Sequence, residues 1–358
     1  MTVSATPPID TEKFHTALGA ILRDAAACIT GALVVVGDKL GFYKALAGAG
    51  PLTSAELAQR TGTHERYVRE WLANQAAAGY LTYDSTADRF SLPAEHVPIL
   101  ADDTSEFMLA PMFHMCSVMF ADEPKVTEVF VSGRGLEWGK RDARLFSLVD
   151  RFFRNGYAAH IVQDWIPALD GVKSKLEAGA SVADVGCGYG SSTILMAKAY
   201  PKSRFTGYDY HAPSIEAARE AARQAGVSDR VRFEVAKAAD FQGTGLDLVC
   251  CFDCVHDMGD PVGALVHIRQ ALAQDGTLMM VEPFANDTLA ENINPIGRLF
   301  YGASTLICTP TSLAQEVGLG LGAQCGEARM RAVVTEAGFT RFRRATQTPF
   351  NLIYEAKA

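Results

Sequence analysis

The chain has 358 residues, 48% of them hydrophobic, and a formal net charge of −8. That length exceeds what a single core fills, so two domains are expected, and the acidic balance disfavours a nucleic-acid surface, which is built from clustered Lys and Arg. The longest purely apolar runs, such as ALVVV at 32–36, fall far short of the ~20 residues of a membrane helix, and the start MTVSATPPID lacks the layout of a secretion signal; no membrane role and a cytoplasmic location are expected.

The eight cysteines, at 28, 116, 187, 250, 251, 254, 308 and 325, sit mostly in apolar or strand-like segments and read as reduced, buried thiols. CCFDC at 250–254 lacks a second ligand pair at zinc spacing, so no metal is expected. In chain order, 14–48 is Ala- and Leu-rich with helical apolar spacing and predicts two helices broken around Gly31 or Gly37. Its apolar character predicts burial against a partner. From Pro51, a Thr53 or Ser54 cap starts a helix with Leu57 and Ala58 inward, Thr61 to Thr63 turn the chain, and a second helix places Tyr67, Val68, Trp71 and Leu72 on one face. Two short β-prone runs around a polar turn follow in YLTYDSTADRFSL, and the ensemble resembles a winged helix. The second helix exposes His64, Glu65, Arg66, Arg69 and Glu70, a mixed rather than a basic face for DNA recognition. Domain limits are therefore set at 1–98, with connecting helices over 99–170 and a second domain over 171–358.

From residue 180 the pattern alternates strand and helix, which predicts a parallel sheet with crossover helices. The stretch VADVGCGYG, 182–190, ends a strand in Asp184 and then places Gly186, Gly188 and Gly190 at every second position before a helix. Asp209 closes the next strand, at the distance where a nucleotide-binding unit presents a carboxylate to ribose hydroxyls. Asp184 suits a ligand with cationic groups better than a pyrophosphate, and the glycines let that ligand lie against the backbone.

This D-x-G-x-G-x-G order resembles the class I S-adenosylmethionine (SAM) methyltransferases, and the front half extends the likeness to the two-domain O-methyltransferases of the caffeic-acid and antibiotic-tailoring type. The resemblance implies a Rossmann-like α/β sheet of seven strands with an antiparallel last strand. It further implies that the winged helix serves dimerisation and substrate covering, making the chain a homodimer, and that SAM is the cofactor, leaving as S-adenosylhomocysteine. Cofactor contacts implied are Asp184, Gly186, Gly188, Gly190, Asp209 and Tyr210, then Asp240 and Phe241 for the adenine, with Phe252 and Asp253 beside them. In CVHDM, His256 would be the general base toward a small-molecule hydroxyl, oriented by Glu282 and more remotely by Glu327. The chain departs from the simpler members of that type in the long segment 283–325, where a helix from about Asn294 with a mobile loop after it would make a lid over the acceptor. Methylation of a thiol or amine by proximity, and a SAM-binding transcriptional regulator, are the alternatives.

Overall fold

The computed structural model describes residues 9–358, and the chain divides into two units, residues 1–117 and 118–358. In the first unit, α1 (Thr11–Lys39) starts at Asp10, whose carboxylate accepts the N–H groups of Glu12 and Lys13. The helix runs unbroken through Gly31 and Gly37, contrary to the expected break. The chain turns instead at Gly41, φ +71°, before α2 (Phe42–Leu46). The reason is close packing: a Cβ on Gly37 would stand 2.5 Å from the Trp71 ring, and one on Gly31 3.1 Å from Phe113.

Next come α3 (Ser54–Thr61), with the Thr53–Glu56 capping box, and α4 (Glu65–Ala77). Val68, Trp71, Leu72 and Gln75 form the buried stripe of α4, and Tyr67, expected on that face, is 78% exposed because it lies one position off the stripe. The antiparallel pair β1 (Thr82–Asp84) and β2 (Arg89–Ser91) forms a wing, tied to the preceding chain by a Leu52–Phe90 bridge. After α5 (Val97–Leu100), α6 (Ala110–Ser132) carries the chain across the division between the units.

The second unit continues with α7 (Arg144–His160), α8 (Val172–Ala178), β3 (Ser181–Val185), α9 (Ser191–Ala199), β4 (Arg204–Asp209), α10 (Ala212–Gln224) and β5 (Val231–Val235). Then follow β6 (Leu246–Phe252), α11 (Pro261–Ala271), β7 (Leu272–Pro283), α12 (Pro295–Ala303), α13 (Thr309–Leu313), α14 (Gly326–Glu336), β8 (Arg341–Gln347) and β9 (Asn351–Lys357). The seven strands lie in the order β5-β4-β3-β6-β7-β9-β8, and β9 runs antiparallel to both its neighbours. The central strands are buried on both faces: along β6, Leu248 and Cys250 join the core on one side, and Val249 and Cys251 the core on the other. All eight cysteines are free; Cys28, expected inside, is exposed because α1 presents that side outward.

Candidate active site

Chain connections leave β3 toward β4 on one side, while β6 flanks it on the other, so the sheet order reverses between β3 and β6. Loops beyond the carboxyl ends of such a pair diverge and open a crevice. Here the crevice is a cleft of about 820 Å³, counting its open mouth. One wall is the sheet's loops, with Gly188, Tyr189, Ser191, Ser192, Asp209, Tyr210, Asp253, Cys254 and Asp257. The other is α7, which presents Phe146, Val149, Asp150, Phe153 and Tyr157 at helical spacing, with Trp138 and Thr311 at the rim. Four lining residues are aspartates and none is Lys or Arg.

The turn after β3 is held from below, since the N–H groups of Gly186 and Cys187 both donate to the Tyr208 carbonyl at 2.8 and 3.0 Å. Gly190, at φ +79°, caps α9 so close to Phe233 that a Cβ would stand 2.5 Å from its ring. Gly188 donates its N–H to Asp209 Oδ2 at 3.0 Å, and His211 donates its own to Oδ1 at 2.8 Å. Burial raises the Asp209 carboxyl, and these two bonds oppose the rise.

The structure does not bring Asp184, Asp240, Phe241 or Phe252 to the cleft wall, and Gly186, Gly190, His256 and Glu282 also lie behind it. Asp184 is fully buried; the hydroxyls of Ser192 and Thr193 each donate to its Oδ2 at 2.6 Å, so it anchors the first turn of α9. Burial pushes its carboxyl up to about 6. Phe241 packs in the core against Tyr208 and His267, and the exposed Asp240 accepts the N–H of Lys237. Phe252 ends β6 facing Tyr157 and Trp165. Asp253, the next residue, takes φ +51° and does line the cleft, its two oxygens accepting from Tyr157 Oη and Asn351 Nδ2, each at 2.9 Å.

His256 sits in a short turn after β6 and is only 4% exposed. Its Nδ1 lies 2.7 Å from Glu282 Oε2, and Oε1 accepts the Val255 N–H at 3.0 Å. The Cys308 thiol also acts on the imidazole. Burial lowers the imidazole, but Glu282 and Cys308 outweigh it and hold His256 well above its ordinary value. Glu327, expected as a second support, pairs with Arg331 and Arg344 instead. Residues 304–323 pack against Arg141 and His256: Arg141, buried, donates to the carbonyls of Leu306 and Ile307, and Gly322 donates to the His256 carbonyl. The α7 aromatics, which the sequence allowed to line a cleft without saying which, and Asp257, legible only as the residue after His256, take their places in the wall, whereas Asp150 carries no signal until the cleft beneath α7 is seen.

Residues 176–307 match the family model described as "Methyltransferase domain", and residues 27–102 the one described as "Rv2258c-like winged HTH domain". The second unit carries a methyltransferase domain. A curated relative, 27-O-demethylrifamycin SV methyltransferase of Amycolatopsis mediterranei, is 31% identical over 171 residues, 46% of this chain and 55% of its own length. The chain spans about a quarter to about half the length of the curated relatives it matches. Among solved structures, mitomycin 7-O-methyltransferase superposes with a TM-score of 0.70 at 21% identity, over 98% of this chain and 100% of its own. Human N-acetylserotonin methyltransferase in complex with SAM does so at 0.69 and 16%, over 99% of each chain. These likenesses show the fold: a methyltransferase-type sheet with its one antiparallel strand, joined to a winged-helix unit.

Proposed function

We propose that the chain transfers a methyl group from SAM to a hydroxyl of a small-molecule acceptor. The observation that carries this reading is the buried His256–Glu282 pair beside an acidic cleft in a methyltransferase domain. The cleft fits such a cofactor: a Cβ direction on Gly188 is open, Asp209 stands ready for hydroxyls, and a lining with four aspartates and no Lys or Arg suits a positively charged guest. Bound SAM supplies an electrophilic methyl on its sulfonium. The chain supplies the rest. Asp209 accepts from ribose hydroxyls, the α7 aromatics exclude water, and His256 takes the acceptor proton at Nε2 while Glu282 holds Nδ1–H and offsets the imidazolium charge.

A second reading, a thiol or amine acceptor methylated by proximity alone, draws on the near-complete burial of His256. The deciding experiment is an acceptor panel of hydroxyls, thiols and amines with recombinant protein and SAM, read by mass spectrometry. Transfer to thiols or amines but to no hydroxyl would displace the leading reading.

The winged-helix unit serves assembly rather than DNA in this reading. The arginines of α4 are spent on the helix's own acids, Arg66 on Glu70 and Arg69 on Glu65. Helix α1 is long and apolar enough to cross a membrane, with a mean hydropathy of 1.7 in its most apolar window. Yet Arg23 and Asp24 fall near its middle, where each charge costs about 2.5–3.5 kcal/mol in a bilayer. Contact with a second copy of the chain is the occupant proposed for that face.

A further inference from the structure

The glycine turn and Asp209 address the nucleoside end of the proposed cofactor, and nothing in the sequence motif addresses its amino-acid end. Asp184, the acid first expected to meet its positive charge, is turned into the base of α9. We propose that Asp150, on α7, is the seat of the cofactor's α-ammonium group. The proposal rests on the SAM reading above and names a residue that the sheet-loop motifs do not supply.

The four aspartates of the cleft differ in what they can offer a cation. Asp209 spends one lone pair of each oxygen on the N–H groups of Gly188 and His211, and it stands at the end of β4, where hydroxyls are expected. Asp253 has both oxygens held by Tyr157 and Asn351, and burial pushes it up to about 7. Asp257 is likewise pushed by burial to about 7. Both are therefore only partly ionised near neutral pH. Asp150 faces the first turn of α9, where the Ser191 hydroxyl donates to its Oδ1 at 2.5 Å and Arg154 stands 3.9 Å from Oδ2.

An amino-acid zwitterion asks for two things a short distance apart. Its carboxylate wants N–H donors, which the start of α9 presents along with the positive end of that helix's dipole. Its ammonium wants an ionised carboxylate next to those donors. Asp150 is the cleft acid in contact with that helix start, through Ser191. Burial raises its carboxyl while Ser191 and Arg154 oppose the rise, so a cation arriving beside it reinforces the charged form.

The test is calorimetric binding of two nucleosides to wild type and Asp150→Asn. S-adenosylhomocysteine keeps the amino-acid end, whereas 5′-methylthioadenosine keeps adenine and ribose but lacks it. Asp150→Asn is expected to weaken S-adenosylhomocysteine roughly 10- to 100-fold, the range of a charge-assisted bond, and to leave 5′-methylthioadenosine within about 2-fold. Asp150→Glu, which keeps the charge, should recover part of the loss, and Asp150→Ser carries the same comparison where Asn is not tolerated. Unchanged S-adenosylhomocysteine affinity overturns the assignment, and so does an equal loss for both nucleosides, which marks a disturbed cleft. A wild type that binds neither overturns the cofactor reading along with it.

Discussion

Glu282 holds both the ring of His256, through Nδ1 at 2.7 Å, and the backbone that carries it, through the Val255 N–H at 3.0 Å. One carboxylate therefore fixes the tautomer and the position of the imidazole together. If His256 is the base, His256→Ala should lower single-turnover transfer to a hydroxyl acceptor roughly 10²–10⁴-fold. S-adenosylhomocysteine affinity, measured separately, should not move. Near-wild-type transfer in that variant would remove His256 from the chemistry.

The same pair predicts a pH dependence. Burial lowers the imidazole, but Glu282 and Cys308 more than reverse this, so the proton-accepting form is scarce near neutrality and the rate should climb as pH rises above it. Glu282→Gln removes the charge and keeps a hydrogen-bond acceptor, so the climb should begin at lower pH with a smaller loss of maximal rate than in His256→Ala. Stability follows the opposite sense. A histidine raised in the fold contributes fully below its unfolded value near 6.5 and loses that contribution as pH rises through the folded value. Thermal melts of wild type and His256→Gln across that window should converge at high pH; parallel curves would contradict it.

Asp209 carries a double load, because the oxygens expected to meet ribose also accept from the Gly188 and His211 N–H groups. Asp209→Ala should cost about 1–3 kcal/mol of cofactor affinity, through lost hydroxyl contacts and a loosened turn. Unchanged affinity by calorimetry would show that Asp209 is not a ribose partner.

Much of this architecture was written in local pattern. The seven strands, the glycine turn and the Thr53–Glu56 capping box rest on short-range rules: period-two burial, spacing of turn residues, reciprocal capping. What escaped the sequence depends on distant partners. Gly37 looks like a helix breaker until Trp71 is seen lying on it. Asp184 looks like a ligand until Ser192 and Thr193 close over it, and the side that Phe241 faces is decided by Tyr208 and His267. Asp150 matters only once α7 is folded across the carboxyl edge of the sheet, a relation no window of sequence contains.

Two glycines of one turn should respond differently to the same change. A Cβ on Gly190 would stand 2.5 Å from Phe233 and the backbone is left-handed, so Gly190→Ala combines strain of about 1–2 kcal/mol with overpacking of about 1–3. Gly188→Ala meets nothing within 4 Å and bears only the strain of φ +52°. Thermal melts should rank Gly190→Ala well below Gly188→Ala, and equal losses would mean that the Phe233 contact gives way freely.

The last prediction concerns α1. Phe14, Leu18, Ile21, Leu22 and Ile29 are exposed along it, at spacings of three, four and seven that set them in one stripe. Large apolar stripes of this kind are uncommon on monomers, and the charges at Arg23 and Asp24 favour a protein partner over lipid. Light scattering of the full chain should therefore give about twice the 38.5 kDa chain mass. Placing a carboxylate in the stripe, as in Ile21→Glu with Leu22→Glu, should shift the chain to the monomer without lowering the melting of the second unit, since Asp150, Asp209 and His256 all belong to residues 118–358. Vesicle flotation decides the competing occupant: recovery of wild type with liposomes, lost in the double variant, would assign the stripe to lipid. A wild type that is monomeric at micromolar concentration and does not float would leave the stripe without either partner and remove the homodimer from the functional reading.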